Sequence, residues 1–137
     1  MSIIRAIQRM EKAKINRGWD TLYYYFDIHE TILKADYRRH SQKEFYPHAK
    51  EVLQYLSACD DIVLGLYTCS YPLEIERYIK FFKEHNIHFK YVNENPEAKN
   101  TKYGYYRDKP YFSVLFEDKA GFDAETDWLK LKEYFGI

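Results

Sequence analysis

The run Ile62-Val63-Leu64-Gly65-Leu66-Tyr67 constrains this chain more than any other stretch, because it is apolar throughout, with no alternation of polar residues. A strand with one wet face alternates, whereas a strand covered on both faces does not. Three more segments have strand character: 21–27, 87–92 and 111–116. Helical patterns lie between and after them. One starts at Pro47, with Ala49, Val52, Leu53 and Leu56 on one stripe, and another starts at Pro72, with Leu73, Ile75, Ile79 and Phe82. Asn86 is placed to end the second of these, and a last helix is expected over roughly 124–135. Strand–helix units of about thirty residues predict parallel strands joined by right-handed crossovers. The expected fold is a three-layer α/β/α sandwich with a mainly parallel sheet.

Ahead of the first strand, Ile3, Ile4, Ile7 and Met10 share one helical stripe, and Gly18 follows as a stop. Residues 1–18 are therefore expected to form an amphipathic basic helix preceding an α/β domain over 19–137. That helix carries Arg5, Arg9, Lys12, Lys14 and Arg17 against Glu11. Over the whole chain 21 basic residues balance 21 acidic ones, so no global field directs it to nucleic acid or to a membrane. Cys59 and Cys69 have no metal-type spacing, and no apolar run has the length of a signal peptide or membrane span. A single domain in a reducing cytoplasm is the expectation. Tyrosine is abundant, at 15 of 137 residues, which suits a thin core whose rings are buried while their hydroxyls stay wet.

The polar residues that interrupt the strands are the candidates for chemistry. Asp27 follows the first strand, Thr68 the second, and Glu117-Asp118 the fourth. Parallel strands bring their C-terminal ends to one edge, where open α/β sheets place their ligands. Carboxylates there suit a hard cation such as magnesium, and a hydroxyl and a lysine would hold phosphate oxygens. Taken singly, each residue also has a plainer role. Asp27 could cap a turn, Thr68 could cap the helix near Tyr71, and Glu117-Asp118 could be a solvated strand end.

The segment Asp27-Ile28-His29-Glu30-Thr31 resembles the first motif of the haloacid dehalogenase (HAD) superfamily, Asp-x-Asp-x-Thr, with His29 at the second Asp. Lys109-Pro110, the apolar strand after it and Glu117-Asp118 follow in the order seen in small capless members, and Asp127-Trp128 resembles the ending of some of them. The resemblance covers the chain from about residue 22 onward. It implies a Rossmann-like sheet and a magnesium-dependent phosphomonoester hydrolase acting through an aspartyl-phosphate. Asp27 is then the nucleophile, Thr68 a phosphate hydrogen-bond donor and Lys109 the neutralising cation, with Lys102 and Lys99 as competitors for that role. Thr31 supports the loop on the substrate side. Asp27, the His29 backbone carbonyl and Asp118 hold the metal, with Glu117 behind them.

His29 replaces the residue that carries the proton in the family. An imidazole, with an ordinary pKa of about 6.5, can protonate a leaving oxygen near neutrality. The alternative is a weak or inactive binding module for a phosphate-containing ligand or nucleic acid. The segment 28–46 is too long for an ordinary strand-to-helix loop. Arg38 and Arg39 lie in it with Tyr37, and a flap bearing them would add substrate contacts suited to an anion or nucleotide. With no room for a large cap, the expected substrates are phosphorylated small molecules, nucleotides or nucleic-acid ends.

Overall fold

The computed structural model describes residues 2–35, 43–101 and 104–137. Helix α1 spans Ile3–Arg17, and Ser2 caps it by accepting the Arg5 backbone N–H at 3.3 Å. Gly18 ends it in the left-handed region at φ 67°, a conformation that favours glycine. Strand β1 is Leu22–Phe26, α2 is Ala49–Ser57, β2 is Ile62–Leu66 and α3 is Pro72–Glu84. Asn86, just beyond α3, is also left-handed at φ 59°. Strand β3 is Tyr91–Val92, β4 is Asn100–Thr101, β5 is Gly104–Tyr105 and β6 is Val114–Phe116. A 3-10 turn at Asp118–Ala120 and helix α4, Asp127–Phe135, complete the described elements.

The main sheet has the order β3-β2-β1-β6, and its three pairings are parallel. Phe26 pairs with Leu66 on one side and Phe116 on the other, so β1, β2 and β6 end level. The fold is thus α/β, layered about a parallel sheet. Two strands are shorter than their apolar runs suggest. Pairing of β6 with β1 starts only at Val114, because the Tyr23 N–H is taken by the Ser113 hydroxyl at 2.9 Å. On the other edge, Ile87 and Phe89 are buried before β3 begins, so their apolarity serves the core and not a ladder.

Leu22, Tyr24 and Phe26 point to one face of β1 and join a single core with residues from all four helices: Ile7, Leu53, Phe82 and Trp128 among them. Phe26 stacks between Phe116 (centroids 4.2 Å apart) and Trp128 (6.0 Å). The basic helix α1 is therefore part of the core, and Lys14 ties it to Asp61 at 2.9 Å.

The opposite face is covered differently. The connection from β3 to β6 must recross the sheet, and it does so without a helix among the described residues. It carries instead the antiparallel β4–β5 hairpin, in a stretch whose Asn, Pro and Gly content suggests only a polar loop. Tyr23 and Tyr25 point into this layer, and their hydroxyls donate to Glu97 Oε1 (3.3 Å) and the Glu94 carbonyl (2.6 Å). Tyr111 and Phe112 pack on them at centroid distances of 6.0 and 6.2 Å. The tyrosine-rich composition is thereby explained: rings cover the sheet, and hydroxyls fasten the crossover. No helix of the described residues is long and apolar enough to cross a membrane.

Candidate functional site at the strand ends

Each site residue is placed by the ladder that ends just before it. The Asp27 N–H continues the sheet by donating to the Phe116 carbonyl at 3.0 Å, and the Tyr67 N–H donates to the Phe26 carbonyl at 2.8 Å. Asp27 and the Thr68 that follows Tyr67 therefore emerge side by side. Beyond Asp27 the chain wraps into a tight turn in which the Ile28 carbonyl accepts the Ile32 and Leu33 N–H groups at 2.9 and 3.0 Å. Residues 32–34 then run antiparallel to 44–46, through Lys34 N–H to the Glu44 carbonyl at 2.9 Å and Tyr46 N–H to the Ile32 carbonyl at 3.0 Å. The expected flap would lie between these two segments. Arg38, Arg39 and Tyr37, expected on it, lie outside the described residues.

Carboxylate oxygens of Asp27, Glu117 and Asp118 all lie within 4.8 Å of one another. Burial raises the Asp27 carboxyl above the ordinary range and the Asp118 charge adds to this, while the Ile28 N–H, His29 and Lys119 oppose it. Glu117 is raised too, by burial and by a hydrogen bond with Asp118. Among the described residues this acidic trio brings three carboxylate oxygens close enough together that they could share one cation. Glu117 belongs to the trio itself, where the motif resemblance sets it behind the ligands.

A cavity of about 520 Å³ opens beside the cluster, lined among others by Asp27, His29, Thr68, Asp118 and Lys119. Thr68 is held there by a residue with no sequence signature, Asn93 at the end of β3. The Asn93 amide accepts the Thr68 N–H at 2.8 Å and donates to the Thr68 carbonyl at 2.7 Å. Asn93 itself adopts a left-handed backbone at φ 56°, which asparagine tolerates. The Thr68 hydroxyl lies 3.0 Å from the Ser70 hydroxyl and accepts the Ser70 N–H at 3.2 Å. His29 also lines the cavity, with Nε2 2.7 Å from the Tyr78 hydroxyl on α3. Burial and the Glu74 charge push the Tyr78 hydroxyl up, so it stays a neutral phenol at physiological pH.

Three expectations change. Lys109 is exposed and does not line the cavity, because it precedes β6 at the far end of that strand. Lys99 is likewise exposed and away from the lining, and Lys102 lies outside the described residues. Lys119, one residue past the acidic pair, lines the cavity together with Lys34, Lys43 and Arg77. Thr31 cannot touch a substrate, since it is 0% exposed. Its carbonyl instead accepts the Trp128 indole N–H at 2.7 Å, which ties the Asp27 loop to α4. Asp127 is structural as well: its carboxylate accepts the Asp123 N–H at 2.8 Å.

No family model and no curated protein matches this chain. Among solved structures it is similar to a conserved protein from Bacteroides thetaiotaomicron, at 19% sequence identity and a TM-score of 0.63. The match covers 85% of this chain and 90% of that one, so the likeness extends over nearly the whole α/β fold.

Proposed function

We propose that this chain is a magnesium-dependent phosphomonoester hydrolase of the HAD type, with Asp27 as nucleophile. The observation that carries the reading is the convergence of Asp27, Glu117 and Asp118 within 4.8 Å at the strand ends, beside a cavity holding Thr68 and Lys119. The donor set fits the metal, because it consists of carboxylate oxygens and has no sulfur or imidazole nitrogen. Magnesium held there would neutralise charge between these carboxylates and a phosphate.

The chain's own groups account for the remaining steps. The Asp27 carboxylate attacks phosphorus, the ester P–O bond breaks in line, and an acyl-phosphate forms on Asp27. The leaving oxygen takes a proton from His29. His29 gives it as the imidazolium: Nε2–H then donates to the Tyr78 hydroxyl oxygen, and the Nδ1 proton is the one free to be transferred. Water, giving a proton to the now neutral His29, then attacks the acyl-phosphate, releases inorganic phosphate and restores both Asp27 and the His29 imidazolium. Lys119 fills the cationic role expected of Lys109, and the Thr68 hydroxyl binds a phosphate oxygen.

Hydrolysis of an aryl phosphate with magnesium over roughly pH 5 to 8 tests this reading. Turnover should vanish in Asp27→Asn and Asp118→Asn, and a folded wild-type protein without turnover would refute it. His29→Ala should slow poor leaving groups far more than activated ones. A second reading, a non-catalytic phosphate-binding module, is favoured by the bond that holds His29 against Tyr78. It predicts thermal stabilisation by magnesium and phosphate without hydrolysis, and a gain of activity in His29→Asp.

A further inference from the structure

At the other end of β1, away from the carboxylates, Trp19, Tyr23 and Tyr111 wall a second cavity of about 430 Å³, with Asp20 and Ala98 also lining it. The rings come from three parts of the chain: the link after α1, strand β1, and the segment before β6. Tyr23 and Tyr111 stand at 82° with centroids 6.0 Å apart, which makes two perpendicular aromatic walls. Tyr106 backs Tyr111 edge-on at 5.2 Å.

The surroundings carry charges of both signs. Asp20 lines the cavity, and Glu97 accepts the Tyr23 hydroxyl at 3.3 Å. Burial and the Glu97 charge push that hydroxyl up to about 12. Lys90 offsets part of this charge through its 2.7 Å pair with Glu97. Trp19 already attracts a cation of the chain itself, since the Arg17 guanidinium lies 5.4 Å from its ring centroid.

We infer that this cavity binds a small quaternary ammonium ion, independently of the phosphate site. Ring faces attract such a cation through their quadrupoles, and Asp20 supplies the countercharge. A bare ammonium or metal ion is strongly hydrated and would need several oxygen acceptors, whereas three of the seven lining residues are aromatic and Asp20 is the one charged group among them. Methyl groups on nitrogen remove that demand and match the walls.

The test exploits the two tryptophans. Trp128 is fully buried in the core, so a cation-dependent change in indole fluorescence reports Trp19. The full chain is titrated with choline and with 3,3-dimethylbutanol, the uncharged carbon analogue. Choline should give a saturable change at about tenfold lower concentration, the difference expected of a partly desolvated cation–π site. Asp20→Asn, a surface change, should weaken choline several-fold, and Tyr111→Leu should abolish the difference between the two compounds. Far-UV circular dichroism verifies that each variant is folded. Equal binding of the two compounds, no saturable binding, or Asp20→Asn identical to wild type would overturn the inference. A trimethyllysine peptide binding more tightly than choline would overturn the small-molecule source.

Discussion

Gly65→Ala is the sharpest test of how the sheet is built. Tyr25 and Gly65 are register partners on adjacent strands, and the Tyr25 ring lies across the glycine. A Cβ at residue 65 would stand 2.4, 2.5 and 2.6 Å from three atoms of that ring, closer than any tolerated contact. The ring has no easy escape: Tyr25 is 0% exposed, and its hydroxyl is held by the Glu94 carbonyl at 2.6 Å. Displacing it combines overpacking, about 1–3 kcal/mol, with a weakened hydrogen bond, about 0.5–1.5 kcal/mol. A total of about 2–4 kcal/mol is a large share of the roughly 5–15 kcal/mol that holds a domain together. For a chain of this size it should lower Tm by about 8–15 °C. The measurement is a double-mutant cycle by urea and thermal denaturation. In a Tyr25→Leu background the alanine should cost at least about 1 kcal/mol less, because the ring is gone. A Gly65→Ala variant melting within about 2 °C of wild type, or a cycle with no coupling, would refute the reasoning.

The other predictions concern the site. Because Asp27 and Glu117 are raised in the folded state, that state holds their protons more tightly than the unfolded chain does. Their contribution is then present at acid pH and lost as pH rises from the ordinary carboxylate range, about 4, through their raised values. Metal-free Asp118→Asn should lessen this loss, melt higher than wild type near neutrality and lose stabilisation by magnesium; differential scanning fluorimetry with and without chelator decides it. Asn93→Ala should leave the Thr68 N–H and carbonyl without their partner, lower stability by about 1–3 kcal/mol, and raise KM for a phosphate ester more than it lowers kcat. Trp128→Phe keeps an aromatic ring in the core but orphans the Thr31 carbonyl; a drop in Tm with reduced turnover is expected, and unchanged turnover would separate α4 from the Asp27 loop.

What could be read in the sequence follows the physics of each element. Ile62 to Leu66 declared itself because a strand covered on both faces has no other composition. Asp27, Thr68 and Asp118 were legible for the same reason, as the polar residues on which apolar runs stop, and parallel strands bring such stops together. Lys109 misled because motif order along the chain is not position in space: it precedes β6, so the whole strand separates it from the carboxylates. Asn93 and Tyr78 carried no signal, since one acts through a left-handed turn and the other through a helix face that merely looked amphipathic. The second face of the sheet was legible only as a surplus of tyrosine. Which rings cover which strand depends on the path of the β3–β6 crossover, and no local periodicity encodes that path.

The proposed chemistry also accounts for a cost that the fold alone does not explain. Two like charges at the 4.8 Å bound of the acidic cluster repel by about 3 kcal/mol at an effective dielectric constant near 20, before further solvent screening. Local hydrogen bonding offsets part of this, since Glu117 accepts the Lys119 N–H at 3.1 Å and caps the 3-10 turn. Asp27 receives the Ile28 N–H. The Asp118 side chain, by contrast, hydrogen-bonds to Glu117, which is another acid. A residue whose local effect is to raise its neighbours' pKa values, placed beside a cavity lined by Lys34, Lys43, Arg77 and Lys119, suits a site completed by a cation and an anion together. Under that reading magnesium alone should stabilise the protein modestly, phosphate alone hardly at all, and the two together by more than their sum.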